Sequence, residues 1–457
     1  MIWLLVVGLI FWVRIIRRSP QVKQQWQRIF ESPLAMTCAI VLMFYLSIAL
    51  FDSIHFRLAL PNQDQDSSEV NYDINMKSPL DLLFVHNIDN AERTYSAPFA
   101  RSEFTSSIIV NDQGITEKIY LPLKHVATHL KPEQGMTSDV VIKSITALII
   151  ALAIGFFLIT LHLFWLKRHQ SSGIKDIIKS ILQGNSQLPW RWGYGTFLLL
   201  LTVSIWLYYL NLSYHVLGTD KVGGDVLFNS LKSIRTGVLI GVLTTIATLP
   251  ISIFLGISAG YIGGWVDDII QYIYTTLSSI QSVLLIAAAI LVVQVTIDNN
   301  PQWFETASER SDLRLFFLIM VLCITSWTSL CRLLRAETLK LSQVEFVTAA
   351  RAFGVGKFTI LRRHILPNLM HIILISVVLD FSFLVLSEAV LSYVGVGVDP
   401  SMHSWGNMIN QARLEMAREP MVWWSLFSAF IFMFILVLAA NLFSDRIQVV
   451  LDPRNEG

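Results

Sequence analysis

The chain has 457 residues, of which 54% are hydrophobic and 15% are charged, and its formal net charge is +1. A soluble globule of this length needs more polar side chains to cover its surface, so the composition favours a membrane protein. The near-neutral charge gives no basic field for nucleic acid, and no nucleic-acid partner is expected. Cys38, Cys323 and Cys331 lie in apolar runs without the spacing of metal ligands, so no metal site is predicted.

Eight apolar runs approach or reach the length of roughly 20 residues that a membrane-spanning helix needs. Another run, at residues 2–16, is short and contains Arg14, so it is either a further span or a helix at the membrane surface. The sequence therefore predicts an all-α, polytopic protein with about eight or nine spans. The eight runs are 33–50, 140–165, 194–210, 236–258, 268–295, 315–334, 372–393 and 422–442.

The distribution of charge predicts the orientation of these spans. Lys and Arg concentrate in residues 14–28, 167–191 and 332–363, which an alternating topology places on one side. Positive residues favour the cytoplasm, so these segments and the C-terminus are predicted to be cytoplasmic. The short connection at 261–268 carries Asp267 and Asp268 without a basic residue, although the same alternation places it inside.

The order of the runs predicts four parts. Residues 1–51 form an N-terminal membrane segment, and 52–139 form a polar extracytoplasmic insert. Residues 140–212 hold an additional pair of spans joined by a cytoplasmic loop, and 213–457 hold the core. The insert has short strand-like runs at 106–110 and 118–121, and it is either a small external domain or a loosely ordered spacer.

The segment at residues 345–368 is predicted to form a helix, a turn and a second helix. Apolar residues from Phe346 to Phe353 fall at helical spacing, Gly354 and Gly356 break the pattern, and a second helix follows until Pro367. A short amphipathic hairpin on the membrane surface can transmit force from a soluble motor, and small residues within it allow a partner to approach closely.

This segment resembles the EAA loop of ABC importer permeases, in which Glu-Ala-Ala is followed by Gly and then by Leu-Pro. Ala349, Ala350, Gly354, Leu366 and Pro367 match that pattern, whereas Thr348 stands at the position of the family's Glu. The resemblance implies that these six residues couple the permease to its ATPase. An ordinary cytoplasmic helical hairpin is the alternative.

Further stretches are similar to blocks of the same family and occur in the family's order, so the resemblance covers about residues 215–454. The closing Arg363-His-Ile-Leu-Pro-Asn368 is similar to the branch that takes up dipeptides, oligopeptides and nickel, in its second-permease (C-type) form. The other blocks are His215–Asp220 with Gly223–Asp225, and residues 259–267, 386–395, 404–408 and 451–454.

The resemblance implies a multi-pass permease subunit of the bacterial inner membrane that imports peptides and is not itself an enzyme. Its expected partners are a homologous second permease, two ATPase subunits, an extracytoplasmic solute-binding protein and the surrounding membrane lipid. No cofactor is expected on this chain, because ATP and Mg²⁺ would bind to the ATPase subunits. The Gly354-Val-Gly-Lys357 sequence lacks the first Gly and the Ser or Thr of a phosphate-binding loop.

Two acidic residues, Asp380 and Glu388, lie about two helical turns apart within one apolar run. Charges inside a membrane are costly, so both are candidates to line a translocation path and accept a peptide's ammonium group. Alternatively, each pairs with a basic or hydroxyl group on a neighbouring helix.

Other functions are compatible with the sequence. The same machinery could import nickel chelates, another small solute or antimicrobial peptides. A protein of another class, an ion-driven secondary transporter, would use Asp380 and Glu388 as ion sites, and a membrane scaffold would show no flux.

Overall fold

A computed structural model of the protein describes residues 20–59, 76–110, 116–126, 135–169, 174–184, 186, 188–303 and 307–451. These residues form two compact units, one within 1–236 and 411–436 and the other within 237–410 and 437–457. The run at residues 2–16 lies outside the described residues.

Helices dominate both units. Eight helical segments within the described residues are long and apolar enough to cross a membrane, which confirms the predicted all-α, polytopic fold. The first half of the chain contains α1 (Pro20–Phe30), α2 (Pro33–Asp52), α3 (Pro79–Leu83), α4 (Val85–Asp89), β1 (Ser107–Val110), β2 (Thr116–Ile119), α5 (Met136–His169), α6 (Ile174–Gln183) and α7 (Trp190–Asn211). The second half contains α8 (Val226–Ile262), α9 (Trp265–Ser279), α10 (Ser282–Asn299), α11 (Ala307–Ser342), α12 (Glu345–Ala352), α13 (Lys357–Ile360), α14 (Leu366–Val394), α15 (Trp405–Glu415) and α16 (Trp424–Leu451).

One predicted span, the run at 268–295, has the wrong bounds. The apolar run at 268–295 forms two helices, α9 and α10, and of these two only α10 is long and apolar enough to cross a membrane. The chain is extended at Ile280, between the two helices, and the Ser279 hydroxyl donates a hydrogen bond to the carbonyl oxygen of Thr276 at 2.7 Å. Ser side chains compete in this way for backbone groups, which weakens a helix where two of them occur together.

The described part of the insert has defined structure and is anchored to the membrane helices of its own unit. The Ser78 side chain caps α3, and its hydroxyl also donates a hydrogen bond to Asp52 at the end of α2, at 2.6 Å. Asp81 forms an ion pair with Lys232 of α8. Burial alone would raise the pKa of Asp81, but hydrogen bonds from Lys232 and Ser78 hold it below its ordinary value.

A second anchor lies in the loop between α7 and α8. The backbone N–H of Ser96 donates to the hydroxyl of Thr219 at 2.6 Å, and the N–H of Thr219 donates to the carbonyl oxygen of Ser96 at 3.1 Å. The carbonyl oxygen of Thr219 also accepts a hydrogen bond at 2.9 Å from the indole of Trp424, which contacts Phe104 edge-on. The insert therefore packs closely on the core loop. The strand-like runs form the antiparallel β1–β2 hairpin.

Candidate coupling site

The first helix of the candidate coupling segment, α12, ends at a glycine with a left-handed conformation. Gly354 has φ +74°, which residues with a Cβ adopt only at a cost. Its N–H donates to the carbonyl oxygen of Arg351 at 3.0 Å, and the N–H of Val355 donates to that of Ala350 at 3.1 Å. These two bonds define a Schellman motif, in which the glycine satisfies the last carbonyl groups of the helix and reverses the chain.

The underside of this segment is buried against three long helices of the second unit. Val347, Ile360 and Ile365 are fully buried in a cluster that also contains residues of α8, α11 and α14. Ala350 and Leu366, two of the predicted coupling residues, pack against the same cluster. The segment is thus fixed to the helix bundle by apolar contacts along its whole length.

The opposite face of the segment is exposed and aromatic. Phe346, Phe353 and Phe358 are exposed by 44%, 87% and 75%. Among the other predicted coupling residues, Thr348, Ala349 and Pro367 are exposed, and the Thr348 hydroxyl donates to the carbonyl oxygen of Glu345 at 2.9 Å. Exposed large apolar side chains next to small residues are typical of a protein interaction surface.

The second helix of the segment does not stop at Pro367, contrary to the prediction. A π-helical turn at Leu361–Ile365 leads directly into α14, and Pro367 lies in the first turn of that helix. The N–H of Leu366 donates to the carbonyl oxygen of Leu361, five residues earlier. A proline is tolerated in the first turn of a helix, and the wider π turn continues the backbone hydrogen bonds up to it.

A row of small residues on α8 lets α11 approach closely. An added Cβ at Gly256 would lie 2.8 Å from the carbonyl oxygen of Cys331, and one at Gly260 would lie 2.7 Å from that of Arg335. One turn before Gly256, the Ser252 hydroxyl donates to the carbonyl oxygen of Trp327 at 3.1 Å. This is the Gly-x-x-x-Gly arrangement of membrane helix pairs. The spacing of Gly256 and Gly260 is visible in the sequence, although no helix contact was predicted from it.

Asp267, the acidic residue that lacked a basic neighbour in the sequence, has a partner on α11. Its carboxylate accepts two hydrogen bonds from the Arg335 guanidinium, at 2.5 and 2.6 Å. Both side chains are mostly buried. The pair joins the start of α9 to the end of α11, beside the candidate coupling segment, and a separation of 68 residues hides it from sequence inspection.

Replacing Asp267 with Asn is expected to destabilise the protein by about 2 kcal/mol, because the Arg335 charge loses a bidentate partner. The midpoint of thermal unfolding in detergent measures the loss. Asp268→Asn is a matched control, because that side chain is exposed and should tolerate the change. Equal midpoints for the two variants would contradict a role for the ion pair.

The two intramembrane acids have different surroundings. Glu388 is 1% exposed and has two hydroxyl partners: Ser392 on its own helix, which donates a hydrogen bond to it at 2.8 Å, and Ser404 in the loop before α15. Asp380 is half-buried, and no hydrogen bond or ion pair to its carboxylate occurs within the described residues. An unpaired carboxylate in a membrane span requires a partner or water from beyond the described residues.

No cluster of three His, Cys, Asp or Glu side chains that could hold a metal ion occurs in the described part of the chain.

The long apolar helices and the candidate coupling segment together define a polytopic helical membrane protein with a surface hairpin fixed to its core. A sequence profile of binding-protein-dependent transport system inner membrane components matches residues 252–457.

Several curated proteins are similar to this chain over about half its length. The glutathione transport system permease protein GsiD of Pectobacterium atrosepticum is 31% identical over 242 residues, which cover 53% of this chain and 73% of that protein. The oligopeptide permease OppC of Mycobacterium bovis is 31% identical, over 52% of this chain and 76% of that protein. The dipeptide permease DppC of Bacillus subtilis is 27% identical, over 52% and 69%.

The chain therefore belongs to the family of binding-protein-dependent transport system inner membrane components. This confirms the resemblance stated from the sequence, and it makes the chain a multi-pass transport protein of the inner membrane.

Proposed function

We propose that the chain is a permease subunit of an ATP-driven importer of peptides. The names of its relatives, which concern oligopeptides, dipeptides and glutathione, support this cargo. Its partners are a homologous second permease, two ATPase subunits that bind ATP and Mg²⁺, and an extracytoplasmic solute-binding protein. The chain itself performs no catalysis.

The observation that carries this proposal is the two-sided character of residues 345–368. One face is buried against α8, α11 and α14, while the other exposes three phenylalanines and small side chains. A segment that packs against the helix bundle on one side and is exposed on the other can transmit a displacement from a soluble partner to the membrane helices. Coupling to the ATPase is assigned to Thr348, Ala349, Ala350, Gly354, Leu366 and Pro367, of which Ala350 and Leu366 are partly buried and pack against the apolar cluster.

The charge distribution supports an orientation for this machinery. The coupling segment and its flanks are rich in Arg and Lys, which favours the cytoplasmic side for this segment and for the C-terminus. The insert at 52–139 would then lie outside, where it meets the loop between α7 and α8.

Copurification and transport together test the function. We expect this chain to copurify with a second permease and two ATPase polypeptides, and proteoliposomes of that complex to accumulate dialanine only with ATP and the binding protein. Uptake driven by a membrane potential without the ATPase subunits would indicate a secondary transporter instead. ATP-dependent uptake of a nickel chelate but of no peptide would retain the machinery and refute the cargo.

We further propose that Asp380 lines the translocation path and accepts the ammonium group of the cargo, because its carboxylate has no partner in the described part of this chain. Asp380→Asn is expected to raise the KM for dialanine about tenfold, since a hydrogen bond to a charged group is lost. Glu388→Gln is the matched control: its hydrogen bond to Ser392 can persist, and its KM should stay unchanged. Unchanged kinetics in Asp380→Asn would refute the assignment.

A further inference from the structure

A cavity of about 400 Å³ opens in the second unit, between the end of α10 and the start of α11. Its volume falls in the range of roughly 300–1,000 Å³ that is typical of small-molecule sites. Apolar atoms contribute the larger share of its lining surface, and six polar residues contribute the rest. The polar residues are Gln294, Asp298, Arg310, Arg314, Asp399 and Ser401.

Helical spacing explains how these groups converge. Gln294 and Asp298 lie four residues apart on α10, and Arg310 and Arg314 lie four residues apart on α11. Side chains at this spacing share one face of a helix. Asp399, in the loop after α14, completes the site.

The floor of the cavity holds a buried guanidinium with unused hydrogen-bonding capacity. Arg314 is 7% exposed, and its Nε has no hydrogen-bond partner among the described residues. Its Nη1 forms an ion pair with Oδ2 of Asp399 at 3.7 Å, which is longer than a hydrogen bond, so Asp399 offsets the charge without satisfying the free N–H. A buried donor without an acceptor is costly, and a charged donor is costlier, so this group favours an incoming anion.

One carboxylate oxygen of Asp399 already accepts hydrogen bonds from another residue. Its Oδ1 accepts hydrogen bonds from the backbone N–H of Ser401 at 3.0 Å and from the Ser401 hydroxyl at 2.7 Å. Burial alone would raise the pKa of Asp399, but these bonds and the charges of Arg314 and Arg310 hold it below its ordinary value. The carboxylate thus stays ionised without closing on the guanidinium.

The rim carries charges of both signs. Arg310 and Asp298 are exposed, on opposite helices of the opening. A ligand with a carboxylate at one end and an ammonium group at the other would meet a guanidinium at the floor and rim, and an acid across from it. A bare anion would leave Asp298 without a counter-charge.

We propose that this cavity is a binding site for a short zwitterionic peptide, with its C-terminal carboxylate held by Arg314 and Arg310 and its ammonium group near Asp298. The site lies apart from Asp380 in the sequence and rests on the proposed function, because it takes the same class of cargo. It lies at the end of α10 and α11 that is proposed to face outward, where a binding protein would release its peptide.

Dialanine and dialanine amide, which lacks the carboxylate, are the probes. Calorimetry on the purified full transporter in nanodiscs gives binding constants, and proteoliposomes give the KM and maximal rate of uptake. Arg310→Gln and Arg314→Gln are expected to weaken the binding of dialanine about tenfold and to leave dialanine amide unaffected. Arg310 is exposed, so its variant remains informative if Arg314→Gln fails to fold. Arg57→Gln, at another exposed arginine, should change neither probe.

Equal losses for both probes, or none for dialanine, would overturn the proposal. Weakened affinity for the peptide-free binding protein, with unchanged dialanine binding, would show that an acidic side chain of that protein occupies the cavity, and would also overturn it. A wild-type complex that binds dialanine through Arg310 but does not accumulate it would refute the proposed function and retain the site. Absence of dialanine binding to the wild type would refute the site.

Discussion

Gly354→Val is expected to reduce peptide uptake about tenfold or more while the protein remains inserted in the membrane. The left-handed conformation costs a residue with a Cβ about 1–2 kcal/mol, and a β-branched residue more, so the turn between α12 and α13 is depopulated by about that factor. No atom of the described residues lies within 4 Å of the added Cβ, so the effect arises from the backbone and not from a clash. Uptake of dialanine, beside ATPase activity stimulated by the loaded binding protein, measures the loss.

The matched control is the same substitution two residues later. Gly356 has φ −60° and ψ 143°, a conformation that valine adopts freely, and within the described part of the chain no atom lies within 4 Å of its added Cβ. Gly356→Val should therefore transport normally, and Gly354→Asn should be intermediate, because asparagine tolerates the left-handed region. Equal uptake by Gly354→Val and Gly356→Val would show that the turn has no role in coupling.

Gly256→Ala is expected to destabilise the protein by about 1–3 kcal/mol, the usual cost of an overpacked contact. The added methyl group would meet the backbone of α11 at 2.8 Å and the Cβ of Leu334 at 2.9 Å. No rotamer relieves a clash at the Cβ itself, so the two helices must separate. The midpoint of thermal unfolding in detergent reports the change, and Gly256→Ala combined with Gly260→Ala should lower it further.

Gly195→Ala on α7 is the control, since none of the residues that the structure describes places an atom within 4 Å of its added Cβ. An alanine in an open helical position is stabilising by about 0.5–1 kcal/mol relative to glycine. The two variants should therefore shift the midpoint in opposite directions. A rise for Gly256→Ala would mean that α8 and α11 do not approach as closely as described.

Much of this fold is predictable because a bilayer core demands long apolar helices, and long apolar runs are visible in the sequence. The single span predicted at 268–295 was wrong in its bounds because Ile280, where the helix breaks, is as apolar as its neighbours, so hydropathy does not show the break. Pro367 misled for a related reason: proline ends a helix in most contexts, yet here it opens one.

Some features of the candidate coupling site and of the cavity are predictable from the sequence, and others are not. The turn at Gly354 follows from local chemistry, since helix periodicity and the two glycines mark it in the sequence. The cavity at Arg314 and the pair of Asp267 with Arg335 depend on contacts between distant segments. Such contacts arise from tertiary packing, which one sequence read locally does not contain.

The π turn at Leu361–Ile365 continues into α14 without a break, so the surface end of the coupling segment and α14 form one continuous helix. Asp380 lies fourteen residues after Leu366, so its Cα is about 21 Å along the helix axis from the start of α14. No hinge of extended backbone separates the two points. A partner that tilts the surface end would therefore swing the acidic group within the bilayer directly, without a relay through other helices.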